Sequence, residues 1–334
     1  MTYLSAVTFL FRLQKHGIKL GLETMTALMG RLGMPQTKYR TLHIAGTNGK
    51  GSTAAMTAAI LQAAGYRVGL YTSPHLVEFR ERIRVNGEMI SESQVAQLTE
   101  QLQSVCQPDL SPTFFEYTTA MAFQHFADSG VDIAVLEVGL GGRFDATNVV
   151  TPLACAVTTI SLDHQEYLGT TVSSIAFEKA GIIKQGVPVV LGRLDDEAWR
   201  RIEQVARERQ APVFRLQEDF RTEGKGPEDF FYRGMGLHYG GLACALEGHI
   251  NWITRPVRWR SWMRQPRRGS WSRLKRYGRA CVRSTGPGDW KWSIRIRRSC
   301  WMAHIIPLPP GSWLTTSPSL PDLIRPVLSF WSLG

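Results

Sequence analysis

The stretch best suited to chemistry is IAGTNGKGSTAAM, residues 44–56. Glycines 46, 49 and 51 let the backbone turn tightly and aim its N–H groups at one point, to which a following helix adds its positive N-terminal end. Lys50 supplies a point charge for β- and γ-phosphates, and Ser52 or Thr53 a hydroxyl for a metal ion. Thr47, Asn48, Gly49, Lys50, Gly51, Ser52 and Thr53 are therefore candidate ATP-binding residues. The spacing departs from G-x-x-x-x-G-K-[ST], because Gly51 stands between the lysine and the hydroxyl. Two further groups stand at the ends of apolar runs: Glu137 closes DIAVLEV, and His164 follows ACAVTTI within LDH. Those are ligand-binding positions in an open parallel sheet, although a strand-end glutamate or an Asp-His pair also serves to cap a turn.

The elements that must position these residues follow from hydrophobic pattern. TLHIA (41–45), YRVGLY (66–71), DIAVLEV (132–138), ACAVTTI (154–160) and VPVVLG (187–192) read as buried strands. Helical patterns fall at 52–64, 91–105, 113–128, 171–181 and 194–209, the second opening on a capping box, Ser91 with Gln94. Continuous apolar strands alternating with helices predict an α/β fold whose mostly parallel sheet is covered on both faces.

The chain divides sharply in composition. Its 334 residues carry a formal charge of +11, yet residues 1–248 hold 23 Lys+Arg against 26 Asp+Glu, and residues 249–334 hold 16 against 2. Nine of ten tryptophans and nine of 17 prolines also lie behind position 248. The predicted domains are 1–248, an ATPase unit, and 249–334, a basic Trp/Arg/Pro-rich tail without helical or strand period. Five scattered cysteines (106, 155, 244, 281, 300) fit a reducing, cytoplasmic setting. The N-terminus reads as an amphipathic helix rather than a signal peptide, and no stretch is long enough to span a bilayer.

The glycine loop, together with YTSPHLVEFRERIRVNG (71–87), FFEYTTAMAF (114–123), EVGLGGRFDATN (137–148), LDHQEYLG (162–169) and EKAGIIK (178–184), resembles the folylpolyglutamate synthase/dihydrofolate synthase family of the Mur-ligase superfamily. The resemblance covers roughly residues 1–245. It implies a Mur-ligase-like P-loop ATPase domain and a ligase that uses ATP and Mg²⁺ to join L-glutamate to tetrahydrofolate, with dihydropteroate as the alternative acceptor, through an acyl phosphate. By the same resemblance Ser73, Glu137 and His164 match magnesium positions, and Lys179 matches a lysine that the family carbamoylates. Lys50, Lys179 and His164 are the expected catalytic residues; Ser73, His75, Arg82, Phe115, Glu116, Arg143 and Asp145 are the expected folate-binding residues. Arg80, Arg82 and Arg84 alternate along RERIR, either to meet substrate carboxylates or as a solvated strand face. The expected protein is a monomer that binds neither nucleic acid nor membrane. The rival classes are a cell-wall UDP-muramoyl-peptide ligase and a non-catalytic nucleotide- or nucleic-acid-binding module.

The tail has its own explanation. The family's second domain bears the motifs His-Gln-x-x-Asn-Ala, Trp-Pro-Gly-Arg-x-Glu and Asp-Gly-Ala-His-Asn-Pro, none of which is printed here. Let each codon instead take the third base of one triplet and the first two of the next. Cys300-Trp301-Met302-Ala303 then forces Leu-Asp-Gly, and Ala303 to Pro307 permits Ala-His-Asn-Pro. Thr285 to Lys291 permits Trp-Pro-Gly-Arg and forces Leu-Glu; His249 to Pro256 permits His-Gln, forces Leu-Asp and permits Asn-Ala. Three motifs in order from one frame identify residues from about 249 as an out-of-frame remnant, expected to be disordered or non-native.

Overall fold

The computed structural model of the protein describes residues 1–242 other than 18, 107–108, 227–228 and 235–236, together with 283–284 and 290–291. The expected disorder of 249–334 therefore concerns residues outside those described, apart from the two-residue strands Arg283–Ser284 and Trp290–Lys291, which pair antiparallel.

In chain order the elements are α1 (Tyr3–Arg12), α2 (Glu23–Arg31), β1 (Arg40–Ala45), α3 (Lys50–Ala63), β2 (Val68–Tyr71), β3 (Ile83–Val85) and β4 (Glu88–Met89). Then follow α4 (Glu92–Val105), α5 (Phe114–Asp128), β5 (Ile133–Glu137), β6 (Ala154–Val157), α6 (Gln165–Leu168), α7 (Val172–Ala180), β7 (Val189–Leu191), α8 (Asp196–Glu208) and β8 (Val213–Arg215). Strands β1 to β8 form one sheet in the order β4-β3-β2-β5-β1-β6-β7-β8. Six of them, β2 to β8 across the centre, are parallel; only the edge pairings β2–β3 and β3–β4 are antiparallel. A separate antiparallel meander consists of β9 (Phe220–Gly226), β10 (Asp229–Gly234) and β11 (Leu237–Leu242).

Strand alternation distributes the core over two faces. Ala134 and Leu136 of β5 pack beneath α1, α2, α4 and α5. Ile133 and Val135 face the other way, toward Ala54, Ala58 and Leu61 of α3 and toward Phe220, Phe230 and Tyr232 of the meander. Cys155 and Val157 join α7 and α8. With both faces covered, the central strands are mostly apolar, which is why their runs were visible in the sequence. The helices begin on side-chain caps: Ser91 with Gln94 on α4, Thr113 with Glu116 on α5, Thr171 with Ser174 on α7.

Two findings differ from the sequence reading. Strand β6 stops at Val157 rather than at 160, because Thr158 and Thr159 turn their groups to the glycine loop. RERIR is not one strand: Phe79–Arg82 forms a 3-10 turn and only Ile83–Val85 pairs with β2. No helix among the described residues is long and apolar enough to cross a membrane.

Candidate active site

The glycine loop joins β1 to α3 at the C-terminal edge of the sheet. Gly49 takes φ 82 as the N-cap of α3, a left-handed conformation that side chains disfavour. Gly46, at φ 147, lies so close to Thr158 that a Cβ there would collide with its hydroxyl. The segment after β6 clasps the loop from outside. Thr47 N–H donates to the Thr159 carbonyl at 2.7 Å and Asn48 N–H to Thr159 Oγ1 at 3.1 Å. Thr158 Oγ1 donates to the Asn48 carbonyl at 2.6 Å, and Ser161 N–H to Thr47 Oγ1 at 3.1 Å. Lys50 Nζ folds back onto the Thr47 carbonyl at 3.0 Å. Thr53 is buried, whereas Ser52 is half-buried, so Ser52 is the hydroxyl better placed for a ligand.

Glu137 and Lys179 flank this loop. The Glu137 carboxylate abuts Gly51, where a Cβ would meet its oxygens at 3.4 and 3.5 Å, and it accepts the Ser73 N–H at 3.0 Å. Burial, with the Asp145 charge, pushes its pKa up to about 7 against the Ser73 N–H, Lys50 and Arg82. Lys179, near the end of α7, donates to the Gly46 carbonyl at 2.9 Å. Burial, together with Lys50, brings its pKa down to about 8, opposed by Asp163 and Asp145. At that value a sizeable fraction of the amine is neutral near physiological pH.

The structure brings Ser73 onto Glu137 but leaves His164 on its own turn. His164 adopts φ 47 ahead of α6, its side chain is 54% exposed, and its ring nitrogen lies 3.7 Å from Asp163. No group of three or more His, Cys, Asp or Glu side chains able to hold a metal is present among the described residues. Of the expected set, Ser73 meets Glu137 through its backbone N–H, and Ser52 follows Gly51, on which the Glu137 carboxylate rests.

Each expected folate residue has a definite place. Arg82 is buried, donates from Nε to His75 Nδ1 at 2.8 Å and lies 5.3 Å from the Phe114 ring centre. Phe114 stacks on Phe11 of α1 at 5.8 Å and 11°. Phe115 lies over Gly139, so tightly that a Cβ on that glycine would strike its ring. Glu116 accepts the Thr113 N–H at 2.8 Å as half of the α5 capping box. Asp145 is buried and accepts the N–H groups of Gly139 and Leu140, both at 2.9 Å, as well as the Thr147 N–H at 3.0 Å and its hydroxyl. It thereby braces the loop that continues from Glu137. Arg143 is half-exposed, 3.7 Å from Glu178, with its guanidinium over Phe144 and Phe177.

Sequence reasoning missed Thr158 and Thr159, which read as the end of a strand, and Ser161 just beyond it. It also missed His43, fully buried in β1 with Nε2 2.8 Å from Thr147 Oγ1, and Glu81. The β3–β4 turn was signalled by Asn86-Gly87, both at positive φ.

Comparison with known proteins agrees with this fold. The family model described as the Mur ligase middle domain matches residues 44–226. Dihydrofolate synthase/folylpolyglutamate synthase of Bacillus subtilis (strain 168) is 42% identical over 263 residues, covering 72% of this chain and 61% of that protein. The chain thus spans about three-fifths of this curated relative. Among solved structures, folylpolyglutamate synthase from Thermotoga maritima is 44% identical with a TM-score of 0.68, covering 74% of this chain and 58% of that one. A folylpolyglutamate synthase complex with AMPPCP and folate is 36% identical with a TM-score of 0.65, covering 71% and 60%. A matched segment that includes the glycine loop, Glu137, the clasping threonines and Lys179 leaves one assignment: the chain belongs to the Mur ligase middle-domain family, and within it is homologous to the folylpolyglutamate and dihydrofolate synthases.

Proposed function

We propose that residues 1–248 are the ATP- and folate-binding part of a ligase that adds L-glutamate to tetrahydrofolate, with dihydropteroate as a second acceptor. The carrying observation is that Lys50, Glu137, the Ser73 N–H and Lys179 meet around one glycine loop at the sheet edge. The reaction gathers a triphosphate and a carboxylate, whose charges repel. The loop N–H groups and Lys50 would hold the triphosphate. Arg82, buried, held through Nε by His75 and within electrostatic reach of Glu137, is the cation we assign to the acceptor's carboxylate. Lys179, bonded to the loop, is the amine whose neutral form carbamoylation requires.

Mg²⁺ fits the oxygen donors present. A buried carboxylate with its pKa raised to about 7 is a group that a divalent cation would return to its ionised form. Glu137, Ser73 and Ser52 would hold it, with His164 reaching in only if its exposed turn rearranges. When bound, the ion offsets phosphate charge as a Lewis acid.

We read residues 249–334 as the out-of-frame remnant of the second domain, so the 334-residue chain should bind nucleotide without turnover. We also read the protein as a cytoplasmic monomer that binds no nucleic acid. Restoring the frame near Gly248 and measuring acceptor-dependent ADP release tests both parts. Activity with tetrahydrofolate plus glutamate is the expected result. Release with a UDP-muramoyl peptide instead would assign a cell-wall ligase. Acceptor-dependent turnover by the 334-residue chain itself would refute the reading of its tail.

A further inference from the structure

The segment between β2 and β3 is fastened with unusual density. Glu81 is buried, and its carboxylate accepts three consecutive backbone N–H groups: Leu76 on Oε2, Val77 and Glu78 on Oε1, each at 2.8 Å. Next to it, Arg82 bonds His75 through Nε at 2.8 Å and, through its carbonyl, accepts the Thr72 N–H at 3.0 Å. Ser73 N–H, between these fastenings, reaches Glu137. One short 3-10 turn, Phe79–Arg82, therefore sets the path of residues 72–78.

The fastening has a visible consequence. With their N–H groups drawn inward, Leu76 and Val77 project into solvent, 77% and 66% exposed. A flexible loop would fold such side chains away; this one cannot while the carboxylate holds its backbone. On either side of them in sequence, His75 and Phe79 belong to a ring cluster with Phe11 and Phe114, whose rings lie 5.8 to 6.4 Å from one another in successive pairs. The side chains are apolar, the loop is prefixed, and at its base the Glu81 carboxylate is taken up by backbone N–H groups while the Arg82 guanidinium is held by the neutral acceptor His75 Nδ1. That combination suits an acceptor with a flat apolar body and a terminal carboxylate.

We propose that Glu81 is a positioning residue for the acceptor. It holds the 75–78 loop so that Leu76 and Val77 contact the acceptor's aromatic body, while the glycine loop is indifferent to it. The inference rests on the folate reading given above and adds residues to its acceptor side. Glu81 also titrates below the ordinary carboxylate range: burial would raise it, but the backbone N–H groups of Leu76, Glu78 and Val77 outweigh burial. The clamp is accordingly charged at any working pH.

The test uses the 334-residue chain, Glu81→Gln, and the double variant Leu76→Ser/Val77→Ser. Gln keeps the shape but turns an amide toward backbone donors. Hydrogen exchange followed by mass spectrometry should show faster exchange at amides 76–78 in Glu81→Gln, by about tenfold or more, with α3 unchanged. Affinity for folate monoglutamate should fall by about tenfold in both variants, and affinity for AMPPCP should stay within about twofold. Only Glu81→Gln should alter exchange. Unchanged exchange, or faster exchange with unchanged folate affinity, overturns the proposal, as does a parallel loss of AMPPCP affinity. If the unmutated chain binds AMPPCP but no folate, the acceptor assignment itself fails and the proposal with it. If it binds folate and the variants match it, only the proposal fails.

Discussion

The two banks of the candidate site, which we propose for phosphate and for acceptor, are built by different means. The phosphate bank is made of backbone: glycines at 46, 49 and 51, and carbonyls and N–H groups tied to Thr158, Thr159 and Ser161. The acceptor bank is made of side chains fastening a loop, with Glu81 on three N–H groups, Arg82 on His75, and Phe114 on Phe11. A triphosphate is the same in every substrate pair, so a fixed backbone cradle serves it. An acceptor must be told from its analogues, and exchangeable side chains on a fixed loop do that. Substitutions on the two banks should therefore separate nucleotide affinity from acceptor affinity.

The largest expected effect is on the phosphate bank. Lys50→Ala removes the only lysine that reaches the loop from its own helix, and should weaken ATP-analogue binding about a hundredfold or more, measured by calorimetry. Gly46→Ala should come close to it, since the new Cβ collides with Thr158 and the φ of 147 disfavours a side chain. Wild-type affinity in either variant would break the division between the banks at its clearer side.

Glu137 lies where the banks meet, and its pKa gives a signed test. Its folded pKa is raised to about 7 from 4.5, so the folded state holds a proton that the unfolded state has released. Its stability contribution is full below pH 4.5 and is lost as pH rises through about 7. Glu137→Gln should therefore melt higher than the unmutated chain at pH 8 in the absence of divalent cation. Adding Mg²⁺ should raise the melting temperature of the unmutated chain and not of the variant. Equal responses in thermal melts would show that the carboxylate is structural only.

How much could be read beforehand divides along the same line. The glycine loop was legible because backbone chemistry is local: Gly46, Gly49, Lys50 and Gly51 lie within six residues, between an apolar run and a helix. The five central strands were legible because burial on both faces leaves them apolar. The partners of the loop were not, since Thr158 and Thr159 look like the end of a β-branched strand until β6 is placed beside β1. Glu81 had the composition of a charged, solvated segment, and nothing in RERIR tells that its carboxylate turns inward onto Leu76. The meander 220–242 is rich in glycine, and its core residues Phe220, Phe230 and Tyr232 show no sustained alternation. His164, placed with Glu137 on the resemblance, sits on an exposed turn with Asp163.

His43 gives an intermediate effect on stability alone. It is fully buried beside Thr147, and burial, with Lys184, brings its pKa down to about 3. The folded state keeps the ring neutral while the unfolded state takes a proton below about 6.5, so this contribution is present above that pH and lost as pH falls toward 3. Replacing His43 with Gln, whose amide can still donate to Thr147 Oγ1, should flatten the fall in denaturant-measured stability between pH 6.5 and 4 by on the order of 2 kcal/mol. An unchanged slope would place the acid sensitivity elsewhere.

The smallest expected effect concerns Glu116, where the acceptor and the α5 helix cap make competing claims on one side chain. The resemblance offers its carboxylate to the acceptor, whereas the structure uses Oε2 to close the capping box on the Thr113 N–H, with Thr113 Oγ1 receiving the Glu116 N–H at 3.2 Å. Glutamine completes a capping box as well as glutamate does, losing only the favourable charge at the helix N-terminus. Glu116→Gln should thus cost no more than about 0.5 kcal/mol, against about 1 kcal/mol for Thr113→Ala, which removes the cap itself. If the cap is the whole role, folate affinity in Glu116→Gln stays within about twofold of the unmutated chain. A tenfold loss of folate affinity at unchanged stability would instead mean that the oxygen not engaged by Thr113 meets the acceptor, and would move Glu116 from the scaffold of the acceptor bank to its surface.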